Sequence, residues 1–453
     1  MFAGGRYRHF PVFILKFWYL FGPERAIKQI MIPLNTLLIV FLVLFGITTG
    51  LDLLLESLNR RHVKTHGHRV PQPFEGWLAP ERQVESSRYT AETIRFSMLR
   101  TLSVKALFLI VLLSGILPDL AALLAPLPSL PAGLIFFAVL GLASTLFAAC
   151  FDFYRCFVLE EKYGFNARTP QIWLTDLLKS ILLTAVIGSL LISAALLLIR
   201  FAPETWWMWA WLCFTGFQLA VAVIFPTWIA PLFNKFTSVE DIELKDKIAG
   251  IAQSQGINVS GIFQMDASKR TRHTNAYLSG LGKTKRIVLF DSLIQAHDHE
   301  EISAILAHEI GHFKQKHIVK MLLIHTLATL FFLFLASKLI NWPAVYQSFG
   351  FSNPTAFAGL FLIGVLWEPV GWLFSPLFNF ISRYFEREAD RLAVSIAGTA
   401  RPLVRALKKM AADNLSNLHP HPFYTRFNYS HPPILERIKQ LEAATGEHRH
   451  QHV

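Results

Sequence analysis

Two histidines and a glutamate between residues 304 and 313 have the spacing of a metal-dependent hydrolytic site. His308 and His312 are four residues apart, so on a helix both imidazoles face one side and can bind one ion. Glu309 directly follows the first histidine, where its carboxylate can reach a water molecule at the ion rather than the ion itself. Two neutral nitrogen ligands, an open coordination position and a general base are the arrangement of a zinc peptidase. These residues therefore predict Zn²⁺-dependent peptide hydrolysis.

A second pair of ionisable residues offers the third protein ligand that such a zinc site needs. Glu386 and Asp390 are also four residues apart, so one carboxylate can bind the ion while the other supports the site from the same helix face. The alternative is that the two histidines are surface residues on a polar helix. The apolar neighbours Ile302, Ile305 and Ile310 count against it, because ionisable groups on a buried helix need a partner or an ion.

The composition is that of a membrane protein. Of the 453 residues, 53% are hydrophobic and only 16% are charged, against about 25% charged in a soluble domain. The mean hydropathy is +0.40. The net charge of +12 comes without a basic nucleic-acid motif, so we predict membrane lipid and no nucleic acid as a partner. The three cysteines have no paired spacing and indicate neither disulfides nor a thiolate metal site.

Seven apolar stretches are long enough to cross a bilayer. We place them at Ile32–Leu55, Val104–Leu124, Leu134–Tyr154, Ser180–Ile199, Trp206–Ile229, Val319–Ile340 and Ala356–Ser375. Pro118 is expected to kink the second span and Pro369 the seventh. Ahead of the first span, Phe10–Gly22 has the character of an interfacial helix rather than of a cleavable signal.

Loop charges predict the orientation of these spans. The connections after the first, third and fifth spans and the tail after the seventh hold nearly all the Lys and Arg, which remain on the cytoplasmic side. We therefore predict that the metal-binding region faces the cytoplasm, in a bacterial inner membrane or in the endoplasmic reticulum. With seven spans the basic N-terminus then lies outside, in conflict with the same rule.

The polar regions between the spans contain predicted helices and strands. After a polar segment at Leu58–Ser103, a small α/β unit is predicted within Asn234–Ile318. Its expected elements are a helix over Val239–Gln255, strands at Gly261–Asp266, Asn275–Ser279 and Arg286–Asp291, a turn at Gly280–Gly282, and a helix from about His299. The tail is predicted to be helical from Pro402, loop-like through His419–Pro422 and helical again from Pro433.

These elements suggest a division of the chain into five parts. We assign residues 1–233 to an N-terminal membrane region with five spans, 234–318 to the first part of a zinc protease domain, 319–381 to spans six and seven, 382–447 to the second part of the protease domain, and 448–453 to a disordered His-rich tail.

Several segments in this order resemble the integral-membrane zinc CAAX prenyl proteases of type 1. They are Glu160–Asn166, Pro231–Phe236, Asn275–Tyr277, Lys285–Asp291, the His308–His312 motif, Ser382–Asp390 and Tyr429–Arg437. The resemblance implies a mainly α membrane protein whose seven helices surround an intramembrane chamber, closed by a zincin-like α/β metalloprotease domain. It also implies removal of a C-terminal tripeptide after a prenylated cysteine, so the expected partner is a prenylated or otherwise apolar peptide or protein.

The same resemblance assigns roles to individual residues. His308, His312 and Glu386 match the zinc ligands, and Glu309 matches the catalytic base. Asp390 matches an acidic residue that supports a ligand and is often treated as a proton donor.

Two further polar residues, Asn275 and His431, match groups of the family that contact the substrate carbonyl. A turn role for Asn275 and a helix-capping role for His431 remain open.

Two other functions are compatible with part of the pattern. One is a membrane quality-control zinc protease without prenyl specificity, which would share the metal motif but usually has fewer spans. The other is a non-catalytic lipid-binding membrane protein with a vestigial site. The complete set of ligands and base argues against the second.

Overall fold

The computed structural model describes residue 32 and residues 34–280 and 285–444. The predicted interfacial helix at Phe10–Gly22 and the predicted disordered tail at 448–453 lie outside this range, and the predicted turn at Gly280–Gly282 lies partly outside it. All three cysteines lie inside it and are free, as expected from their spacing.

Seven helices of the described chain are long and apolar enough to cross a membrane, which confirms the predicted number of spans. They are α1 Thr36–His66, α2 Pro80–Leu113, α4 Ser129–Glu160, α5 Pro170–Phe201, α6 Trp206–Phe233, α10 His317–Leu339 and α12 Ala356–Ala397. Two short helices, α3 Ile116–Leu124 and α11 Pro343–Ser348, lie in the connections at one end. The remaining elements form the polar domain at the other end.

Several spanning helices begin at side-chain caps that the local sequence supplies. Asn35 accepts a hydrogen bond from the backbone of Leu38 at the start of α1. Thr169 caps α5 in the same way, and Pro170 follows it at a position where a missing N–H costs nothing. Thr355 caps α12. These caps satisfy helix-end N–H groups that would otherwise be unpaired at the membrane boundary.

The seven helices are loosely packed against one another. In the most apolar stretch of each spanning helix, at most 22% of residues are buried in six helices and 39% in α12. A compact bundle would bury one face of every helix, whereas helices that surround an interior space expose two faces. The main apolar core instead lies at the end that carries α3 and α11, and includes Leu38, Leu117, Phe136, Phe349 and Phe357.

The second and seventh spans differ from their predicted limits. The second was expected at Val104–Leu124, but α2 starts at Pro80 and ends at Leu113, because Gly115 adopts φ 78° and breaks the helix. Pro118 then lies in the first turn of α3, where proline is tolerated, so its predicted kink is wrong. The polar segment Leu58–Ser103 is accordingly mostly helix rather than a separate polar region.

The seventh span continues far beyond its predicted end at Ser375. Helix α12 has 42 residues and contains both Pro369 and Pro376 without ending at either. The segment that carries Glu386 and Asp390 is therefore the continuation of a membrane helix.

The polar domain contains a four-stranded mixed sheet of order β1-β2-β4-β3. Its strands are β1 Phe236–Ser238, β2 Gly261–Met265, β3 Ala276–Ser279 and β4 Arg286–Phe290. Its helices are α7 Ile242–Ser254, α8 Asp291–Ala296, α9 His299–Lys314, α13 Arg401–Asp413, α14 Pro422–Asn428 and α15 Ile434–Ala444. The predicted strands and the helix from His299 are confirmed, whereas β1, α8 and α14 were not expected.

Polar contacts attach this domain to the connections after the first and third spans, and the connection after the fifth span is the start of the domain itself. Arg82 at the start of α2 donates to the carbonyl of Ala412, and His419 contacts the carbonyl of Arg69. Arg270 forms a two-point contact with Asp176 near the start of α5. The connections after the first, third and fifth spans therefore lie on the same side as the polar domain.

Candidate metal centre

Helix α9 presents the histidine pair from a rigid, capped element. Asp298 accepts from the backbone of Glu301, and the Glu301 side chain returns a contact to the backbone of Asp298, which forms a capping box. The apolar face, which includes Ile302, Leu306 and Ile310, is buried in the core of the polar domain. The histidines are therefore held by packing on one side of the helix and by a cap at its start.

A glycine allows α9 and α12 to approach closely beside these histidines. A Cβ added at Gly311 would meet the Cα and the carbonyl oxygen of Ala389 at 3.0 Å, closer than ordinary contact. Because glycine has no Cβ, the backbones of α9 and α12 are in direct contact at this point. This contact brings Glu386 and Asp390 of α12 opposite His308 and His312.

Three side chains converge on one point with the spacing of metal ligands. The Nε2 atoms of His308 and His312 are 3.2 Å apart. The two carboxylate oxygens of Glu386 lie 3.4 Å from His308 Nε2 and 3.1 Å from His312 Nε2. Ligands about 2.1 Å from a tetrahedral zinc ion are about 3.4 Å from one another. The three residues form the one such His/Cys/Asp/Glu group found among the described residues, and their donor types and spacing fit a metal ion.

A buried ion pair supports the first histidine. Asp390 lies 2.8 Å from His308 Nδ1, and Arg437 donates to both oxygens of Asp390 at 2.9 and 2.6 Å. Burial opposes the charged form of His308, but the Asp390 and Glu386 carboxylates outweigh it and raise the pKa of His308 to about 9. A proton and a cation therefore compete for this imidazole.

The second histidine has its own support. His317, the first residue of α10, places Nδ1 3.1 Å from Nδ1 of His312 and Nε2 3.1 Å from Glu388. Tyr384 donates to the other oxygen of Glu388. Such contacts fix the orientation of a metal-binding imidazole. The roles of Arg437, His317 and Glu388 were not anticipated, although buried charges on these helices were a signal that partners existed.

His431 lies at the open side of the group. Its Nδ1 is 2.9 Å from Glu386, yet 64% of its side chain is exposed to solvent. The segment that carries it is held to α12, because Arg383 donates to the carbonyls of Thr425, Arg426 and Tyr429. His431 can therefore contact both the metal group and a ligand that arrives from outside.

Asn275 and Glu309 are outside the three-residue group but on or beside the elements that carry and border it. Asn275 is exposed and precedes β3, which packs against α9, and its Oδ1 accepts from the backbone of Ala276. Glu309 is half-buried on α9 between the two histidines. Both residues are therefore on or directly beside elements that border the site.

Comparison with known proteins agrees with this geometry. A family described as CAAX prenyl protease N-terminal, five membrane helices, matches residues 59–235, and peptidase family M48 matches residues 238–445. CAAX prenyl protease 1 of Saccharomyces cerevisiae is 32% identical over 414 residues, which cover 84% of this chain and 90% of the yeast protein. The CAAX prenyl protease 1 homolog of Homo sapiens is 30% identical over 437 residues, covering 86% and 91%.

A solved structure has the same architecture. The crystal structure of S. mikatae Ste24p superimposes with a TM-score of 0.85 at 30% identity, and the match covers 90% of this chain and 100% of the other. The membrane helices and the peptidase match together define an integral-membrane metallopeptidase. At the level of family, the chain belongs to the CAAX prenyl proteases of type 1.

Proposed function

We propose that this protein is a zinc endopeptidase that removes the C-terminal tripeptide of prenylated CAAX proteins or of related peptides presented at the membrane. One observation carries the proposal: His308, His312 and Glu386 have the donor types and the 3.1–3.4 Å spacing of a catalytic zinc site. The relatives' names support the substrate class. Zinc bound there would acidify a water molecule and polarise the scissile carbonyl.

Glu309 is the general base in this proposal. It accepts a proton from the attacking water and returns it to the leaving amine. Asp390 is a poorer candidate for the second transfer, because both of its oxygens are taken up by Arg437 and one also contacts His308. Asp390 therefore orients His308 and keeps it a good ligand.

Two donors stabilise negative charge on the carbonyl oxygen. His431 is exposed at the open side of the site and can donate to the developing oxyanion, and the exposed Asn275 carries a side-chain amide that can donate as well. A single donor of this kind is worth about 3 kcal/mol of the activation barrier.

The substrate lies as an extended strand against β3. In the described part of the sheet β3 pairs only with β4, so its other edge offers unpaired backbone groups. Edge addition would place the peptide beside α9, which carries Glu309. The loosely packed ring of spans then receives the apolar modification while the peptide reaches the metal group.

We also propose that the polar domain faces the cytoplasm. The basic connections after the first, third and fifth spans lie on its side of the molecule, and basic connections remain cytoplasmic.

The proposal is tested with one peptide in two forms. We expect the full chain in detergent to cleave a farnesylated CAAX peptide with a higher kcat/KM than the same peptide without the farnesyl group. Equal cleavage of both would favour a general membrane protease, and cleavage of neither would favour a non-catalytic role.

Metal analysis separates chemistry from folding in the same experiment. Wild type and Glu309→Gln, each without the His-rich tail, should both hold about one zinc per chain, whereas His312→Ala should hold almost none. Glu309→Gln should reduce cleavage by about 10² to 10⁴. Full zinc in His312→Ala would contradict the ligand assignment.

A further inference from the structure

Cations at the end of α1 and on the side of α2 that faces away from the C-terminal segment have no salt bridge among the described residues, although Arg60 donates to the carbonyl of Ala91. Tyr89 donates to Glu160 and Ser97 contacts Glu56, so these residues mark the side of α2 that faces other parts of the protein. Arg95 and Leu99 are each two positions from Ser97, about 200° around the helix. Both are exposed. Their surroundings form two adjoining grooves.

The first groove is basic. It has a volume of about 410 Å³ and lies between the end of α1 and the first half of α2. Its charged lining residues are Arg60, Lys64, Arg88, Arg95 and Glu92. The carboxylate of Glu92 is already neutralised, since both of its oxygens lie 2.7 Å from Lys162. None of the four arginine and lysine side chains of this groove has a salt bridge within the described residues.

The second groove is apolar and continues from the first. It has a volume of about 560 Å³, shares Glu92 and Arg95 with the basic groove, and lies between α2 and α4. Its apolar lining includes Phe96, Leu99 and Phe151, and the ring of Tyr154 stacks on Phe96. Leu99 is 59% exposed. The groove follows α2 from its charged half toward its apolar half.

We propose that these two grooves together bind one anionic phospholipid of the surrounding bilayer. The phosphate group would lie among Arg60, Lys64, Arg88 and Arg95, and an acyl chain would lie along Phe96 and Leu99. The order of the grooves carries the assignment, because the cations lie at the polar-domain end of the spanning helices and the apolar surface lies toward the membrane. An acidic peptide or a nucleic acid would use the cations but would have no need of the second groove.

Charge complementarity determines which lipid is favoured. Basic residues near a membrane surface attract anionic headgroups by about 1 kcal/mol each. A zwitterionic headgroup adds its own cation to a groove whose single carboxylate is already paired. The site is therefore selective for an anionic headgroup, whereas the apolar groove contributes to any lipid with two chains.

Titration of short-chain lipids into the full chain in nonionic detergent, followed by native mass spectrometry, tests the proposal. We expect dioctanoyl phosphatidylglycerol to bind about tenfold more tightly than dioctanoyl phosphatidylcholine. The double variant Arg88→Gln/Arg95→Gln should lose about tenfold in affinity for phosphatidylglycerol and keep its affinity for phosphatidylcholine. Leu99→Gln should weaken both lipids equally.

A charge-matched control lies far along the chain. Lys245→Gln/Lys247→Gln removes the same charge from exposed positions of α7 and should leave both affinities within twofold. Unchanged lipid preference in Arg88→Gln/Arg95→Gln, or an equal loss in the control, would overturn the proposal. So would competition by free glycerol 3-phosphate or polyglutamate at the same concentration as the lipid, since neither can use the apolar groove. Unchanged zinc content in every variant excludes unfolding as the cause.

Discussion

Individual contacts at the metal group separate residues that bind or react from residues that position others. Asp390 is fully engaged by Arg437 and His308, and His317 holds His312 from the opposite side. His431 alone combines contact with Glu386 and large exposure. The open side of the centre therefore depends on how firmly the segment around His431 is held.

Arg383 is the residue that holds this segment. Arg383→Met removes hydrogen bonds to three carbonyls and leaves them unpaired, so we expect kcat to fall about tenfold as His431 loses its position. KM and zinc content should change little. Steady-state kinetics with metal analysis measures both.

A double-mutant cycle tests whether the effect passes through His431. In a His431→Ala background, Arg383→Met should cost almost nothing further, because interacting sites are not additive. Arg391→Met is the control, since this exposed arginine on the same helix donates to the carbonyl of Arg387, one turn away, rather than to the segment around His431. Full additivity would show that Arg383 acts elsewhere.

At the scale of secondary-structure elements, the contact between α9 and α12 determines the geometry of the proposed ligands. Two of the proposed ligands come from α9 and the third from α12, so a change in the separation of the helices moves Glu386 relative to both histidines. The backbone contact at Gly311 and Ala389 sets this separation.

Gly311→Ala should therefore both destabilise the protein and weaken metal binding. The added Cβ meets the backbone of Ala389 at 3.0 Å, and such overpacking costs about 1–3 kcal/mol. Gly250→Ala is the matched control, because that helical glycine has open space around it and alanine should stabilise α7 by up to about 1 kcal/mol. Thermal unfolding should show a loss of stability for Gly311→Ala and a gain for Gly250→Ala, and zinc titration should show weaker binding for Gly311→Ala. Equal behaviour of the two variants would contradict this packing.

The start of α9 makes stability depend on pH. Burial lowers the pKa of His297 below its ordinary value of 6.5, although Glu301 at 2.9 Å partly opposes this. Below about pH 6.5, His297 is therefore protonated in the unfolded chain but remains neutral in the folded chain. The free energy of unfolding should fall as the pH drops through this range. His297→Gln should flatten this slope between pH 5.5 and 7.5, and His68→Gln, at an exposed position, should not. Thermal unfolding across this range measures it.

Patterns within one element were readable from the sequence, and relations between distant elements were not. The pair His308 and His312 follows from helical spacing alone, and the apolar spanning helices follow from composition. Arg437 lies 47 residues from Asp390, and no local pattern connects them. Strand β1 has only three residues, too few for a periodic signal. Gly115 ends α2 through a backbone angle that the hydrophobic pattern does not reveal.

At the scale of the whole molecule, the two ends of the spanning helices differ in what they carry. The basic connections and the metal group lie at one end, and the apolar core with α3 and α11 lies at the other. The two ends are joined by helices that bury little of their surface.

A reporter that is active only outside the cytoplasm tests the sidedness. Fused after Asn341, between α10 and α12, it should be active, and fused after His431 it should be silent. Comparable expression of both fusions is the control. The reverse pattern would show that the polar domain faces away from the cytoplasm.

The continuous helix α12 has a consequence for biosynthesis. With 42 residues it is about 63 Å long, roughly twice the hydrocarbon thickness of a bilayer. Its first half spans the membrane and its second half carries Glu386 and Asp390, whereas His308 and His312 leave the ribosome earlier, ahead of α10. Glu386 can therefore join the histidine pair only after α10 and α12 have been synthesised and have entered the membrane. A nascent chain that lacks the second half of α12 lacks one of the three proposed ligands, so we expect no proteolytic activity before this helix is complete.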